Sequence, residues 1–375
     1  MTRNQRDKIN GGDQETSPWG IGRIIFMYIE TKILAVSHYV LVLNCHIQIL
    51  LLISLNQLLH AVHRNQGNPS AGVTFILLGF SEYLELQLPL FLGFLTIYMV
   101  TVLENLGMVL IIKVSPRLHT PMYFFLSHLS FVDFCFSIVV TPNLLENLVV
   151  EDKTISFTGC IMQLFFACIF VVTETFLLTV MAYDHFVAIC KPLLYTVLMS
   201  QKLCSLLVGA TCSWGTVCSL TLTYFLSELS FGRNKIINNF FCEPAGIVAV
   251  SCSDTCISQK ITVVSATFNE IRSLIIILAS YVFIFITVMR MSSTGRCHKA
   301  FSTCASHLTA ITIFHGSILF LYCVPDSKSS WLMVRVGSVS YTVVIPMLNL
   351  LIYSIRNKDV KQSVRNLAII KFLYQ

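Results

Sequence analysis

Two carboxylates in this chain stand where a carboxylate is hard to keep. Asp133 lies inside the apolar stretch 121–145 and Glu174 inside the apolar stretch 159–183, while Asn105 and Asn349 occupy two further apolar stretches. An ionisable side chain in hydrocarbon is expensive unless paired or hydrated, so it marks a functional site by default. Two such acids point to a shared proton or a bound cation. A lone amide such as Asn105 reads more simply as hydrogen-bond glue between helices, worth about 0.6 kcal/mol on average. Asn269, Glu270 and Arg272 form another polar group near the middle of an apolar stretch. Arg at a helix centre costs roughly 2.5–3.5 kcal/mol on an insertion scale. Glu270 and Arg272 are two positions apart and face different sides of a helix, so they do not neutralise each other. They either line a cavity or destabilise the structure. The catalytic strings H-E-x-x-H and G-x-S-x-G and a phosphate-binding loop are absent from the sequence, so an enzyme is not expected.

The elements that must position these groups are set by composition. Hydrophobic residues make up 55% of the chain and charged residues 12%, with a mean hydropathy of +0.74. A soluble domain carries about 25% charged residues. The bilayer must therefore solvate much of the surface, and apolar runs of 18 or more residues are spanning candidates. Seven follow residue 87: Leu88–Ile112, Pro121–Leu145, Gly159–Tyr183, Leu203–Leu226, Ile261–Met289, Phe301–Val324 and Val334–Tyr353. Runs this long suit helices, since barrel strands would be short and alternating. The expected fold class is an all-α membrane protein, a seven-transmembrane helix bundle over residues 88–354.

Lys113 and Arg117, Lys191 and Lys202, and Arg290, Arg296 and Lys299 lie in or beside the odd-numbered breaks, and Arg356, Lys358, Lys361, Arg365 and Lys371 lie in the tail. The positive-inside rule puts these segments in the cytoplasm and residues 68–87 outside. The net charge of +6 is thus an inner-face bias. The basic residues form no single run, so no nucleic-acid partner is expected. Most of the 14 cysteines lie in apolar spans. Only Cys160, Cys242, Cys252 and Cys256 can meet an oxidising outer compartment, and the lack of paired CxxC knuckles argues against a metal site. Residues 1–67 form an N-terminal extension with an apolar segment at 33–59. That segment is either an extra spanning helix with basic residues on its inner side or a stretch outside the working module.

Five strings, in order, carry a family resemblance. They are Val73–Ser81 (VTFILLGFS), Leu118–Asp133 (LHTPMYFFLSHLSFVD), Met181–Tyr195 (MAYDHFVAICKPLLY), Arg296–Leu308 (RCHKAFSTCASHL) and Pro346–Tyr353 (PMLNLLIY). Over about Val73–Val360 the chain resembles the odorant receptors, a branch of the rhodopsin-like G-protein-coupled receptors. The resemblance implies a small volatile or apolar ligand held by Ala167, Cys168, Val171 and Val172 of the third span, Ser265, Ala266 and Asn269 of the fifth, and His315, Ile318, Leu319 and Tyr322 of the sixth. It implies that Asn105, Asp133, Glu174 and Asn349 face one another around a sodium ion or proton, with no other cofactor. Asp184, His185, Phe186, Arg296, Lys299 and Tyr353 would form the switch toward a stimulatory olfactory G protein. A Cys160–Cys242 disulfide would tie the second outer loop over the bundle mouth. The tail 355–375, with Ile369, Ile370, Phe372 and Leu373, would lie along the membrane lipid. The expected location is the plasma membrane.

The departures from the family are specific. His185 stands where the family has Arg, and Phe186 where it has Tyr. An Arg fork is always charged with five donors, while neutral His offers fewer, so weak or absent coupling is expected. His315 stands in the family's Phe-Tyr-Gly. Leu350 replaces a Pro, which predicts a straighter seventh helix. The sequon before the first helix is blocked by Pro69. Cys252 lacks the earlier partner it would have near Phe231-Gly232-Arg233, leaving it free or joined to Cys256. Together these keep open a decayed, signalling-deficient receptor-like protein. A transporter ranks lower because no internal repeat is visible.

Overall fold

The computed structural model describes residues 74–80, 84–232, 235–253, 255–290, 294–323, 331–356, 359–363 and 365. The extension 1–67, the segment 68–73 and the tail beyond residue 365 lie outside the described residues.

Seven helices among the described residues are long and apolar enough to cross a membrane. They are α1 (Gln87–Val114), α2 (Pro121–Val149), α3 (Phe157–Cys190), α4 (Gln201–Ser227), α5 (Cys256–Met289) and α6 (Thr294–Cys323). The seventh, α7, runs through Trp331–Val339, a π-helical turn Ser340–Val344 and Ile345–Arg356. At 1.5 Å per residue, a helix of roughly 28 residues exceeds the ~30 Å hydrocarbon core, so each spans with turns to spare. The starts are locally encoded. Pro121 opens α2 at the first turn, where its missing N–H is harmless. The Ser156 and Ser200 hydroxyls cap α3 and α4 by accepting from the backbone N–H of Gly159 and Leu203.

Burial orders the helices around α3. In the apolar windows of α2 and α3, 56% of residues are buried, against 22% in α1 and 28% in α5. The central helix α3 packs on α2, α4, α5 and α6. At the α3–α4 crossing Gly215 is required, because a Cβ there would lie 2.7 Å from the Ile169 carbonyl oxygen and the Thr173 hydroxyl. The exposed Leu88, Leu92, Leu103 and Leu110 of α1 and Ile275, Leu278, Val282 and Phe285 of α5 mark faces for lipid.

A small sheet covers the end that charge bias assigns to the outside. β1 (Thr74–Leu77) lies between β2 (Thr154–Ser156) and β3 (Ile236–Ile237). It pairs antiparallel with β2, Phe75 opposite Ile155, and parallel with β3, Ile76 opposite Ile236. Within the VTFILLGFS string, ahead of the first helix, residues 74–77 form a strand whose Phe75 and Leu77 are buried. Alternating burial along β1 is the period-2 signal of a half-buried strand. Around Leu350, which replaces Pro, α7 is an unbroken helix over Ile345–Arg356; its π turn lies earlier, at Ser340–Val344, just before Pro346.

Candidate functional site

A cavity of about 550 Å³ lies beneath the outer loop, among α3, α5, α6 and α7. Ligand pockets are typically about 300–1,000 Å³ and mostly apolar. Its walls include Ala167, Cys168, Val171 and Val172 of α3, Ser265, Ala266 and Asn269 of α5, and Ile318 of α6, all expected from the sequence. Phe136, Leu321, Val334 and Tyr341 add to them, and the loop supplies Asn238, Phe241 and Glu243 as a roof. The sequence carries no local signal for these roof residues, because a fold-back places them.

Two expected wall residues are placed elsewhere. Leu319 is 43% exposed on the outside of α6, since one residue turns it about 100° from Ile318. His315 is buried behind the wall, its Nδ1 2.6 Å from Glu270 Oε1. The Tyr322 side chain lies outside the described side chains. Asn269 reaches the cavity, but its amide is engaged: Trp214 Nε1 donates to Oδ1 at 2.8 Å and Nδ2 donates to Cys218 Sγ at 3.5 Å. Asn269 therefore ties α5 to α4.

The polar residues of α5 find partners on other helices. Glu270 lines the cavity and is held by His315. The Arg272 guanidinium sits 5.1–5.2 Å from the ring centroids of Phe176, Trp214 and Phe268, a cation–π setting that suits its weak hydration. Of the two openings left by the sequence, cavity lining describes Glu270. In the loop, burial pushes the Glu243 carboxyl above the usual carboxylate range, with the Asn239 side chain opposing.

The roof is fastened at several points. Cys160 and Cys242 form a disulfide with Cα atoms 5.4 Å apart. Gln163 adds a clamp, its Oε1 accepting from Cys242 N at 3.1 Å and its Nε2 donating to Val139 O at 3.1 Å. Cys252 carries an exposed free thiol and is not bonded to Cys256. A Cβ on Gly232 would lie 2.5 Å from Cys252 Sγ. A side chain at position 232 would therefore meet the Cys252 sulfur.

Below the cavity, Asn349 Nδ2 donates to Glu174 Oε1 at 2.7 Å and to Asp133 Oδ2 at 3.3 Å, all three residues being buried. Asp133 Oδ1 is buried without a hydrogen-bond partner. The two acids therefore meet, as expected. Asn105 Nδ2 donates to Thr101 O and Pro346 O, joining α1 to α7 as glue, while its Oδ1 is buried without a hydrogen-bond partner.

At the inner end of α3, Tyr195 OH donates to Asp184 Oδ1 at 2.9 Å. Burial, with the Asp184 carboxylate beside it, pushes the Tyr195 phenol up, which keeps it a donor. His185 Nδ1 lies 3.9 Å from Asp184 Oδ2, beyond hydrogen-bond range. The His185 ring packs instead on His307 of α6 at 4.9 Å, and His307 Nδ1 lies 2.6 Å from Tyr281 OH. Tyr353 faces the same cluster, its ring 6.3 Å from His307. Phe186 packs on Phe283 of α5 at 5.8 Å. The backbones of Arg296 and Lys299 lie in α6, while their side chains lie outside the described side chains.

Seven helices, a disulfide-tied roof, a cavity and an acid pair agree with the resemblance, and the comparisons decide the matter. Residues 94–371 match a family model described as "Olfactory receptor". The chain belongs to the olfactory receptor family. This olfactory receptor is 64% identical over 310 residues to human olfactory receptor 5D13, covering 83% of this chain and 99% of that one. It is 61% identical to mouse olfactory receptor 1165, covering 81% and 96%. The fold is similar to squid rhodopsin, with a TM-score of 0.60 at 14% identity over 73% of this chain and 78% of that one. The olfactory receptor is a multi-pass membrane protein and a signalling receptor, not an enzyme.

Proposed function

We propose that this receptor binds a small, largely apolar volatile molecule in the cavity bounded by α3, α5 and α6. Binding would bias α6 toward a state that engages a stimulatory olfactory G protein at the plasma membrane. The observation that carries it is the cavity of about 550 Å³ with apolar walls under a covalently tied roof. A ligand shifts the two states only by its differential affinity for them. The Glu270–His315 contact links the cavity wall on α5 to α6, so a ligand there can bear on the position of α6.

Coupling is proposed to be weak. His185 is buried against His307 and offers the G protein neither the reach nor the fixed positive fork of Arg. The orphaned Asp133 Oδ1 beside Glu174 fits a sodium ion or a shared proton, since hard cations take oxygen donors. That ion would be held by Asp133 and Glu174 and would relieve the repulsion between them. Apolar faces of α1 and α5 would contact lipid.

An odorant panel on cells with the tagged receptor at their surface tests the function, read by cAMP. Some odorant should raise cAMP weakly in the wild type and more strongly in His185→Arg. Equal, strong responses from both chains would overturn the weak-coupling reading. A surface-delivered His185→Arg that stays silent across the panel would favour the signalling-deficient alternative.

A further inference from the structure

The cavity has an uneven charge inventory. Among the described residues its lining includes two carboxylates, Glu270 in the α5 wall and Glu243 in the roof, and no Lys, Arg or His. Two arginines of the wall helices α5 and α7 have partners of their own. Arg272 lies over three aromatic rings, and Arg335 donates from Nε to Asn238 O at 3.3 Å.

His315 engages Glu270 at one atom: its Nδ1 lies 2.6 Å from Oε1, while its Nε2 is buried with no hydrogen-bond partner. Beyond that contact Glu270 lines the cavity. A buried carboxylate is stabilised by an opposite charge or by further hydrogen-bond donors.

We propose that the cavity selects protonated alkyl or cycloalkyl amines, with the ammonium on Glu270 and the hydrocarbon body against Val171, Val172 and Ile318. This rests on the cavity being the ligand site and names its ligand class. An ammonium brings both the charge and the donors that the carboxylate lacks. An alcohol of the same shape supplies one neutral donor, and a carboxylate adds a like charge.

The test is thermal stabilisation of the full-length receptor in membranes at pH 7 by matched n-alkyl amines, alcohols and carboxylates of about four to ten carbons, a readout independent of coupling. Amines should act at concentrations about tenfold to a hundredfold below the matched alcohols, the range of a charge-assisted hydrogen bond over a neutral one, and carboxylates should be weakest. Glu270→Gln should abolish the amine advantage over the matched alcohols, and Glu270→Asp should restore part of it. The wild-type amine-to-alcohol ratio decides the question even if Glu270→Gln does not reach the membrane. Equal potency of amines and alcohols would overturn the amine assignment and leave the cavity standing as the ligand site. An amine preference that survives Glu270→Gln but vanishes in Glu243→Gln would overturn Glu270 as anchor. Absence of stabilisation by every compound would overturn the cavity reading and this inference with it.

Discussion

The two ends of α3 are held by different kinds of bond. At the outer end, Cys160 is covalently tied to Cys242 and Gln163 bonds both the loop and α2. At the inner end, Asp184 is held by one phenol and His185 by ring packing on α6. The outer end must keep the shape of a cavity, and a crosslink does that. Under the proposed function the inner end parts from α6 on switching, and contacts of about 1 kcal/mol can be exchanged without breaking the fold. The same helix is a fixed wall at one end and a releasable latch at the other.

That contrast can be broken by substitution. Cys160→Ala should have the largest effect, a loss of about 2–5 kcal/mol, because the roof would be released and the unfolded chain unconstrained. Thermal unfolding and surface staining would show it. Gly232→Cys should act in the opposite direction, forming a second crosslink with Cys252 worth up to about 3 kcal/mol. Non-reducing peptide mapping should find the new bridge; an introduced thiol that stays reduced would show that the loop does not hold that approach. At mid-helix, Gly215→Ala should lose about 1–3 kcal/mol by forcing α4 off the Ile169 carbonyl. Tyr195→Phe should lose about 1–3 kcal/mol by leaving buried Asp184 unpaired, and should raise basal cAMP in a His185→Arg background. A loss as large as that of Cys160→Ala would erase the distinction between wall and latch. Asn105→Ala should be smallest, about 0.6 kcal/mol in the melting curve, with sodium sensitivity unchanged. Altered sodium sensitivity would return Asn105 to the acid site.

Gly215 and Gly232 also show where a local pattern stops being informative. Both are glycines in unremarkable strings, and only the neighbour across the gap, Thr173 in one case and Cys252 in the other, gives each its meaning. Ala167, Cys168, Val171 and Val172 were legible because a continuous helix carries a motif's offset to its neighbours along the same axis. Glu243 and Phe241 were not, because they reach the cavity through a loop whose path depends on a bond between residues 82 positions apart. Leu319 shows the same limit on a smaller scale, since one residue of rotation separates wall from lipid face.

By itself the sequence determined the membrane, the seven spans and the pairing of Asp133 with Glu174, and it set the expectation of which side faces the cytoplasm. Each of these follows from local hydropathy, charge placement or the resemblance of contiguous strings. Only the tertiary structure decided the partner of Glu270, the setting of Arg272, the bonding of Asn105 and the strand at Thr74–Leu77. These depend on which side chains from distant helices share a space. A buried polar group is stabilised by whatever the fold places within about 3 Å of it, and spacing along one chain does not encode that.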